Sequence, residues 1–160
     1  PFRRTKKLPS NEMTPETLTH HLTTLPAVTP IHSDAHTFFF RDPDRKMPFA
    51  TIVTSDAFDQ ASNLNRPSAF RLNLSVSKAT YRHLFGPPPP FPATGGIINT
   101  GHDFTALDQL LPHPLYAAMS WICILNPSHQ TFQKTLQPLL AEAYDLAAPK
   151  QTKSKSEGEP

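Results

Sequence analysis

Three strand patterns follow one another in residues 37–76, where short apolar runs alternate with polar connectors. In the third, Phe70, Leu72, Leu74 and Val76 occupy alternate positions, and Arg71, Asn73 and Ser75 lie between them. This period of two predicts a strand with one face on the core and a polar face opposite. The Phe38-Phe39-Phe40 run and residues 49–54 predict the two strands before it. We therefore expect a sheet that is covered on one face.

Helices are predicted on both sides of these strands. Thr14-Pro15-Glu16 is a typical helix start, and Leu18, Leu22 and Leu25 after it share one helical face. A second helix is expected over 77–86 and a short one after Asp103. The last helical segment is predicted to split into a short turn near Phe132 and a new helix with Pro138 in its first turn. The apolar run 121–125 predicts a strand that is buried on both faces.

These elements predict an α+β fold with the order α-β-β-β-α-α-β-α. We expect an antiparallel sheet of about four or more strands with helices packed on one face. Residues 37–40 are predicted to form an exposed edge strand, which could pair with a second copy. The sequence therefore leaves both a monomer and a homodimer open.

Length and charge set the domain organisation. The 160 residues suit one domain, which we place at 13–148. The polar, charged segments 1–12 and 149–160 are predicted to be disordered. The formal net charge is +2, but residues 1–12 carry +3 and residues 150–160 carry +1, which leaves −2 for the body. Such a body argues against nucleic acid as a partner.

Compartment and membrane signals are sparse. The single cysteine, Cys123, excludes an internal disulfide framework. No apolar run approaches the ~18 residues of a membrane span, and we expect no membrane partner. A cytoplasmic location is the expectation, and the basic run RRTKK near the N-terminus keeps a nuclear location open.

Several blocks resemble a domain-of-unknown-function family of small bacterial and fungal proteins. The blocks are PFATIVTSD, SNLNRPSAFRLNLSV and PHPLY, beside family patterns PFATIVT-x-D, SNLDRPGVFRLN and PHPVY. The resemblance covers about residues 13–148, with Asn65 in place of a family Asp and Ser68 in place of a family Gly. More distantly, the element order resembles the MmcQ/YjbR-like double-wing fold, a group often labelled DNA-binding by its shape. The resemblance implies a fold but no activity.

The polar residues of this stretch are the candidate ligand-binding site. Arg66 and Arg71 could hold an anion, with Asn63 or Asn73 orienting it, and Asp56 closes the second strand. The alternative is a structural Asp–Arg pair that fixes the long connector. His113, between two prolines and near Tyr116 and Trp121, could line a pocket or transfer a proton. The site residues predicted from the sequence are Asp56, Asn63, Arg66, Arg71, Asn73, His113 and Tyr116.

No cofactor or metal motif occurs in the chain, so we expect no cofactor and no metal. Cys123 is expected to behave as a small apolar residue in its buried strand. The leading hypothesis is a non-catalytic accessory domain that binds an unknown small molecule or protein. One alternative is a small enzyme that uses His113 as acid or base with Asp56 or Asp103 nearby. Another is a nucleic-acid-associated protein that binds through its basic tails.

Overall fold

The computed structural model describes residues 12–41, 47–93 and 95–149. The tails predicted to be disordered lie outside the described residues, apart from Glu12 and Pro149, and so does most of the predicted turn between the first two strand patterns. The elements in chain order are α1 (Pro15–Thr23), β1 (Val28–Ser33), β2 (His36–Arg41), β3 (Ala50–Val53), β4 (Arg71–Ser75), α2 (Lys78–Phe85), β5 (Leu111–Pro112), β6 (Trp121–Leu125), α3 (His129–Thr131) and α4 (Gln137–Leu146).

The strands form one antiparallel sheet in the order β1-β2-β3-β4-β6-β5. The predicted α+β class and a sheet of at least four strands are confirmed. The prediction that residues 37–40 form an exposed edge is wrong, because β1 pairs with β2 along its whole length. We did not predict β1, which has the sequence VTPIHS and lacks a clear alternation. Its Pro30 cannot donate to a ladder, which suits an edge strand.

The main core lies between one face of the sheet and the helices. Leu72 and Leu74 of β4 and Ile122 and Ile124 of β6 are fully buried there. Leu18 of α1, Tyr81 of α2 and Leu140 of α4 belong to the same cluster. The predicted apolar face of β4 and the burial of β6 on both faces are confirmed.

The opposite face of the sheet is also covered at β4, contrary to the expectation of a sheet buried on one face. Leu64 and Ala69, in the connector between β3 and β4, pack there with Val53, Cys123 and Leu125. This second cluster puts Arg71 and Asn73 under a layer of chain. The alternation in β4 therefore separates an apolar interior from a polar one.

The short helix predicted after Asp103 does not form. Asp103 instead accepts hydrogen bonds from the backbone N–H and the hydroxyl of Thr105, and β5 follows at Leu111. An Asp side chain that bonds two residues ahead favours a turn over a helix.

Pro138 lies in the first turn of α4, as predicted. The predicted split of this segment into two helices is wrong, because the helical chain is continuous from α3 to α4. A single π-helical turn, Phe132–Leu136, joins α3 to α4. The wider turn accommodates a proline, which has no N–H to donate.

Candidate functional site

The register of the sheet aligns two rows of side chains on the face away from the main core. Phe38, Thr51, Asn73 and Cys123 lie opposite one another across four strands. His36, Val53, Arg71 and Leu125 form the next row. Side chains two residues apart on a strand share a face, so both rows point towards the connector.

Arg71 is at the centre of the polar network on this face, and it is only 2% exposed. Its Nη1 and Nη2 donate to the two carboxylate oxygens of Asp59, at 3.1 and 2.8 Å. Nη1 also donates to Ser62 Oγ, and Nε donates to Asn73 Oδ1. Asn73 Nδ2 then donates to Thr51 Oγ1. The guanidinium is thus fixed in a fork-to-fork ion pair below the connector.

The Asp59 side chain is 8% exposed. Burial alone would raise the pKa of Asp59. The hydrogen bonds and the positive charge of Arg71 outweigh burial, so the pKa lies below its ordinary 3.8. Asp59 is therefore ionised near neutral pH, and it balances the charge of Arg71.

His113 follows β5 and is 3% exposed. Its Nδ1 accepts hydrogen bonds from the backbone N–H groups of Leu115 and Tyr116, at 3.0 and 3.1 Å. Two donors at one nitrogen require an unprotonated Nδ1, so the proton of the neutral ring lies on Nε2. Burial, followed by the charge of Arg71, holds the pKa of His113 well below its ordinary 6.5.

This hydrogen bonding decides what His113 can do chemically. The ring can offer an N–H from Nε2, but its only lone pair is already used. Asp56 and Asp103, its predicted carboxylate partners, bond elsewhere: Asp56 accepts from the Leu64 N–H, and Asp103 accepts from Thr105. The geometry suits a neutral donor that polarises an oxygen better than an acid or base.

His36 of β2 lies beside this network. Its ring stacks on Phe38 with centroids 4.2 Å apart and meets the edge of Phe58 at 4.5 Å. Within the described residues its Nδ1 is buried and has no hydrogen-bond partner. Burial, with the charge of Arg71, lowers the pKa of His36, so this ring is also neutral near pH 7.

A cavity of about 430 Å³ opens over these groups. Arg71, Asn73, Asp59 and the two histidines form its polar floor. Its walls are aromatic and apolar: Phe38, Met47, Phe58, Leu115, Tyr116, Met119 and Trp121. A concave, mostly apolar site with a few converging polar groups is the usual form of a small-molecule site.

The predicted site residues separate into two groups in the structure. Arg71, Asn73, His113 and Tyr116 line the cavity. Asp56, Asn63 and Arg66 do not line it, and they hold the connector in place. Arg66 donates from Nε and Nη2 to the backbone carbonyls of Asn63, Ser62 and Thr105. Few of its N–H groups therefore remain for an anion.

The sequence analysis placed Trp121 near His113 but missed Asp59, His36 and Phe58 in the cavity. His36 shares a face with Phe38, two residues further along β2, but only the pairing of β2 with β3 and of β3 with β4 puts that face beside Arg71. Asp59 carried no local signal either. The connector contains two acids, Asp56 and Asp59, and only the folded path of the chain shows which one meets Arg71.

No three His, Cys, Asp or Glu side chains in the described ranges gather closely enough to hold a metal ion. None of the helices in the part of the chain that the structure describes has the length and apolar character that crossing a bilayer requires.

Comparison with known proteins gives one match. Neither a curated protein nor a solved structure matches the chain. A family model described as "Family of unknown function (DUF6194)" matches residues 13–156, which include every helix and strand described above. The chain therefore belongs to the DUF6194 family of unknown function.

Proposed function

We propose that this protein is a non-catalytic binding domain whose ligand is a small, mainly apolar aromatic molecule. The observation that carries the proposal is the cavity on the second sheet face, where aromatic walls surround a buried, hydrogen-bonded floor. Its volume of about 430 Å³ falls in the range of roughly 300–1,000 Å³ that ligand pockets occupy.

The rim of the cavity supports an apolar ligand. Met47, Phe58, Tyr116 and Met119 are large, apolar or aromatic and largely exposed, and all four line the cavity. Exposed apolar side chains scattered singly need no explanation, whereas a contiguous group marks an interaction site. An aromatic ligand would cover these side chains and gain ring-to-ring contacts with Phe38 and Trp121.

The alternatives have less support. An enzyme that uses His113 as acid or base needs a free lone pair or an acidic proton on that ring, and its Nδ1 is occupied. A role with nucleic acid would rest on the basic tails, while the body carries a net charge of −2. The likeness to the MmcQ/YjbR-like fold stays a prediction from the sequence. A cytoplasmic location also stays a prediction from the sequence.

Nuclear magnetic resonance can test the proposal, because Trp121 is the only tryptophan and gives a single indole N–H signal. Uncharged bicyclic probes, indane and 1-indanone, should shift this signal and saturate it. Phe58→Ala removes a cavity wall and should weaken binding several-fold. Phe91→Ala, a matched control at an exposed phenylalanine outside the cavity, should leave the affinity unchanged. Absence of a saturating shift, or equal loss in both variants, would contradict the proposal.

A further inference from the structure

We propose that the ligand presents an uncharged acceptor oxygen, such as a carbonyl, which binds the Nε2–H of His113. This inference rests on the proposed function and names the ligand class that the same cavity selects. It depends on three observations: which nitrogen of His113 carries the proton, where that nitrogen lies, and how charge is distributed on the floor.

The first observation fixes His113 as a donor. The prolines at 112 and 114 flank His113, and Pro114 has no N–H. The next two backbone N–H groups, of Leu115 and Tyr116, both turn onto Nδ1. The local chain therefore holds the ring in the tautomer that carries its proton on Nε2.

The second observation is that this donor is free. None of the described residues bonds to the Nε2 of His113. In the described part of the chain, one side-chain nitrogen or oxygen is both buried and without a hydrogen-bond partner, Nδ1 of His36. The Nε2 of His113 is not that atom, so it is not closed off from the cavity. Since His113 lines the cavity, its Nε2–H is available to a ligand. A ligand oxygen that accepts this N–H inside the mostly apolar cavity gains a hydrogen bond.

The third observation excludes a charged ligand group. Nη1 and Nη2 of Arg71 donate to the carboxylate of Asp59, Nε donates to Asn73, and Nη1 also donates to Ser62. The floor therefore carries one positive and one negative charge, and both histidines are neutral. A carboxylate in the cavity would lose its hydration without meeting an unpaired cation, and an ammonium would meet no unpaired anion. A carbonyl oxygen loses far less on transfer and fits a single N–H donor.

Four probes that share one carbon skeleton test this selection: indane, 1-indanone, indane-1-carboxylate and 1-aminoindane. The wild-type protein should bind 1-indanone about 3- to 10-fold more tightly than indane, the value of one neutral hydrogen bond. The two charged probes should bind no better than indane. In a nitrogen-15 spectrum, the Nε2–H signal of His113 should shift with 1-indanone and much less with indane.

His113→Asn provides the matched variant. The asparagine oxygen can accept the backbone N–H groups that Nδ1 accepts, while its amide N–H₂, on a shorter side chain, does not reach the position of the ring Nε2. The preference for 1-indanone over indane should then fall towards one. If the variant does not fold, the Nε2–H signal of the wild-type protein still decides the question.

The outcomes separate the two proposals. Equal binding of indane and 1-indanone, or tightest binding of the carboxylate, would overturn the carbonyl assignment and leave the aromatic cavity as a binding site. Failure of all four probes to shift the Trp121 signal would overturn both.

Discussion

Arg71 and Asp59 form a two-pronged ion pair beneath the connector, with Nη1–Oδ1 and Nη2–Oδ2 distances of 3.1 and 2.8 Å. The pair links Arg71, the first residue of β4, to a connector residue twelve positions earlier in the chain. Both side chains are almost completely removed from solvent. It thus fixes the floor of the cavity and the path of the segment that covers it.

Asp59→Ala should lower the free energy of unfolding by about 3–5 kcal/mol, because it leaves the Arg71 charge buried and unpaired. Urea denaturation measures this loss. The control, Asp145→Ala on the exposed side of α4, should stay within about 0.5 kcal/mol of wild type. A double variant, Asp59→Leu with Arg71→Met, should be more stable than Asp59→Ala alone. Equal effects of Asp59→Ala and Asp145→Ala would show that the pair does not stabilise the fold.

The same pair shows how far sequence reasoning reaches. Alternation in β4 correctly placed Arg71 and Asn73 together on one face, since a strand has a fixed period of two. It did not show that this face is covered, because the cover is an irregular connector whose path depends on tertiary contacts. The sequence analysis gave a structural Asp–Arg pair as one alternative, but the acid that it named was Asp56 and not Asp59. Asp56 instead accepts from the Leu64 N–H and shapes the connector.

The outer parts of the site were harder to predict for a similar reason. β1 has a polar, proline-containing sequence with a weak pattern, so the sequence predicts the neighbouring strand β2 as the edge. With β2 as an interior strand, His36 and Phe38 fall in register with Arg71 and Asn73. The alternation of apolar and polar residues identifies the individual strands. The order of the strands in the sheet, which no local pattern encodes, determines which residues form the cavity walls.

Stability should depend on pH through His113. Its folded-state pKa lies well below its ordinary 6.5, so between these values the unfolded chain binds the proton and the folded chain does not. The contribution is complete above about pH 6.5 and is lost as the pH falls below it, with a slope of up to about 1.4 kcal/mol per pH unit. Urea denaturation between pH 8 and pH 5 measures the slope.

His113→Asn should flatten this profile, since the titrating ring is gone, although His21 and His36, whose pKa values are also lowered, keep part of the slope. Asp59 adds a second loss below about pH 3.8, because its folded pKa is depressed from that value. A profile that is equally steep in the variant would show that His113 does not contribute.

Ser68→Gly should stabilise the protein by about 0.5–1 kcal/mol. Ser68 has φ +61°, a left-handed conformation that costs an L-residue with a Cβ about 1–2 kcal/mol and glycine very little. The added freedom of glycine in the unfolded chain offsets part of the gain.

Chemical denaturation of Ser68→Gly and of a control variant, Ser77→Gly, tests this prediction. Ser77 caps α2 at φ −72°, where glycine relieves no strain and should cost a few tenths of a kcal/mol. The two substitutions should therefore change stability in opposite directions, and a loss of stability in Ser68→Gly would contradict the strain argument.

Cys123 should resist thiol reagents in the folded protein. It is fully buried in β6, and burial raises the pKa of its thiol to about 12, so almost no reactive thiolate is present at pH 8. Labelling with a disulfide reagent should follow unfolding, becoming fast in concentrated urea. Rapid labelling of the native protein would show that β6 is more accessible than its packing indicates.

His36→Phe should raise stability, by up to about 1 kcal/mol. The histidine buries an Nδ1 that has no hydrogen-bond partner among the described residues, and an unsatisfied buried polar atom costs about 1–3 kcal/mol. Phenylalanine keeps the ring stacked on Phe38 and packed against Phe58 while it removes the polar atom. Thermal or urea denaturation measures the gain.

His32, in the strand that pairs with β2, provides the control. His32 of β1 is exposed, and its Nδ1 lies 3.0 Å from the hydroxyl of Thr37, so His32→Phe removes a satisfied contact and should not stabilise the protein. If His36→Phe is instead destabilising while His32→Phe is neutral, the Nδ1 of His36 has a partner in solution, and a water or ligand in the cavity is the group to look for.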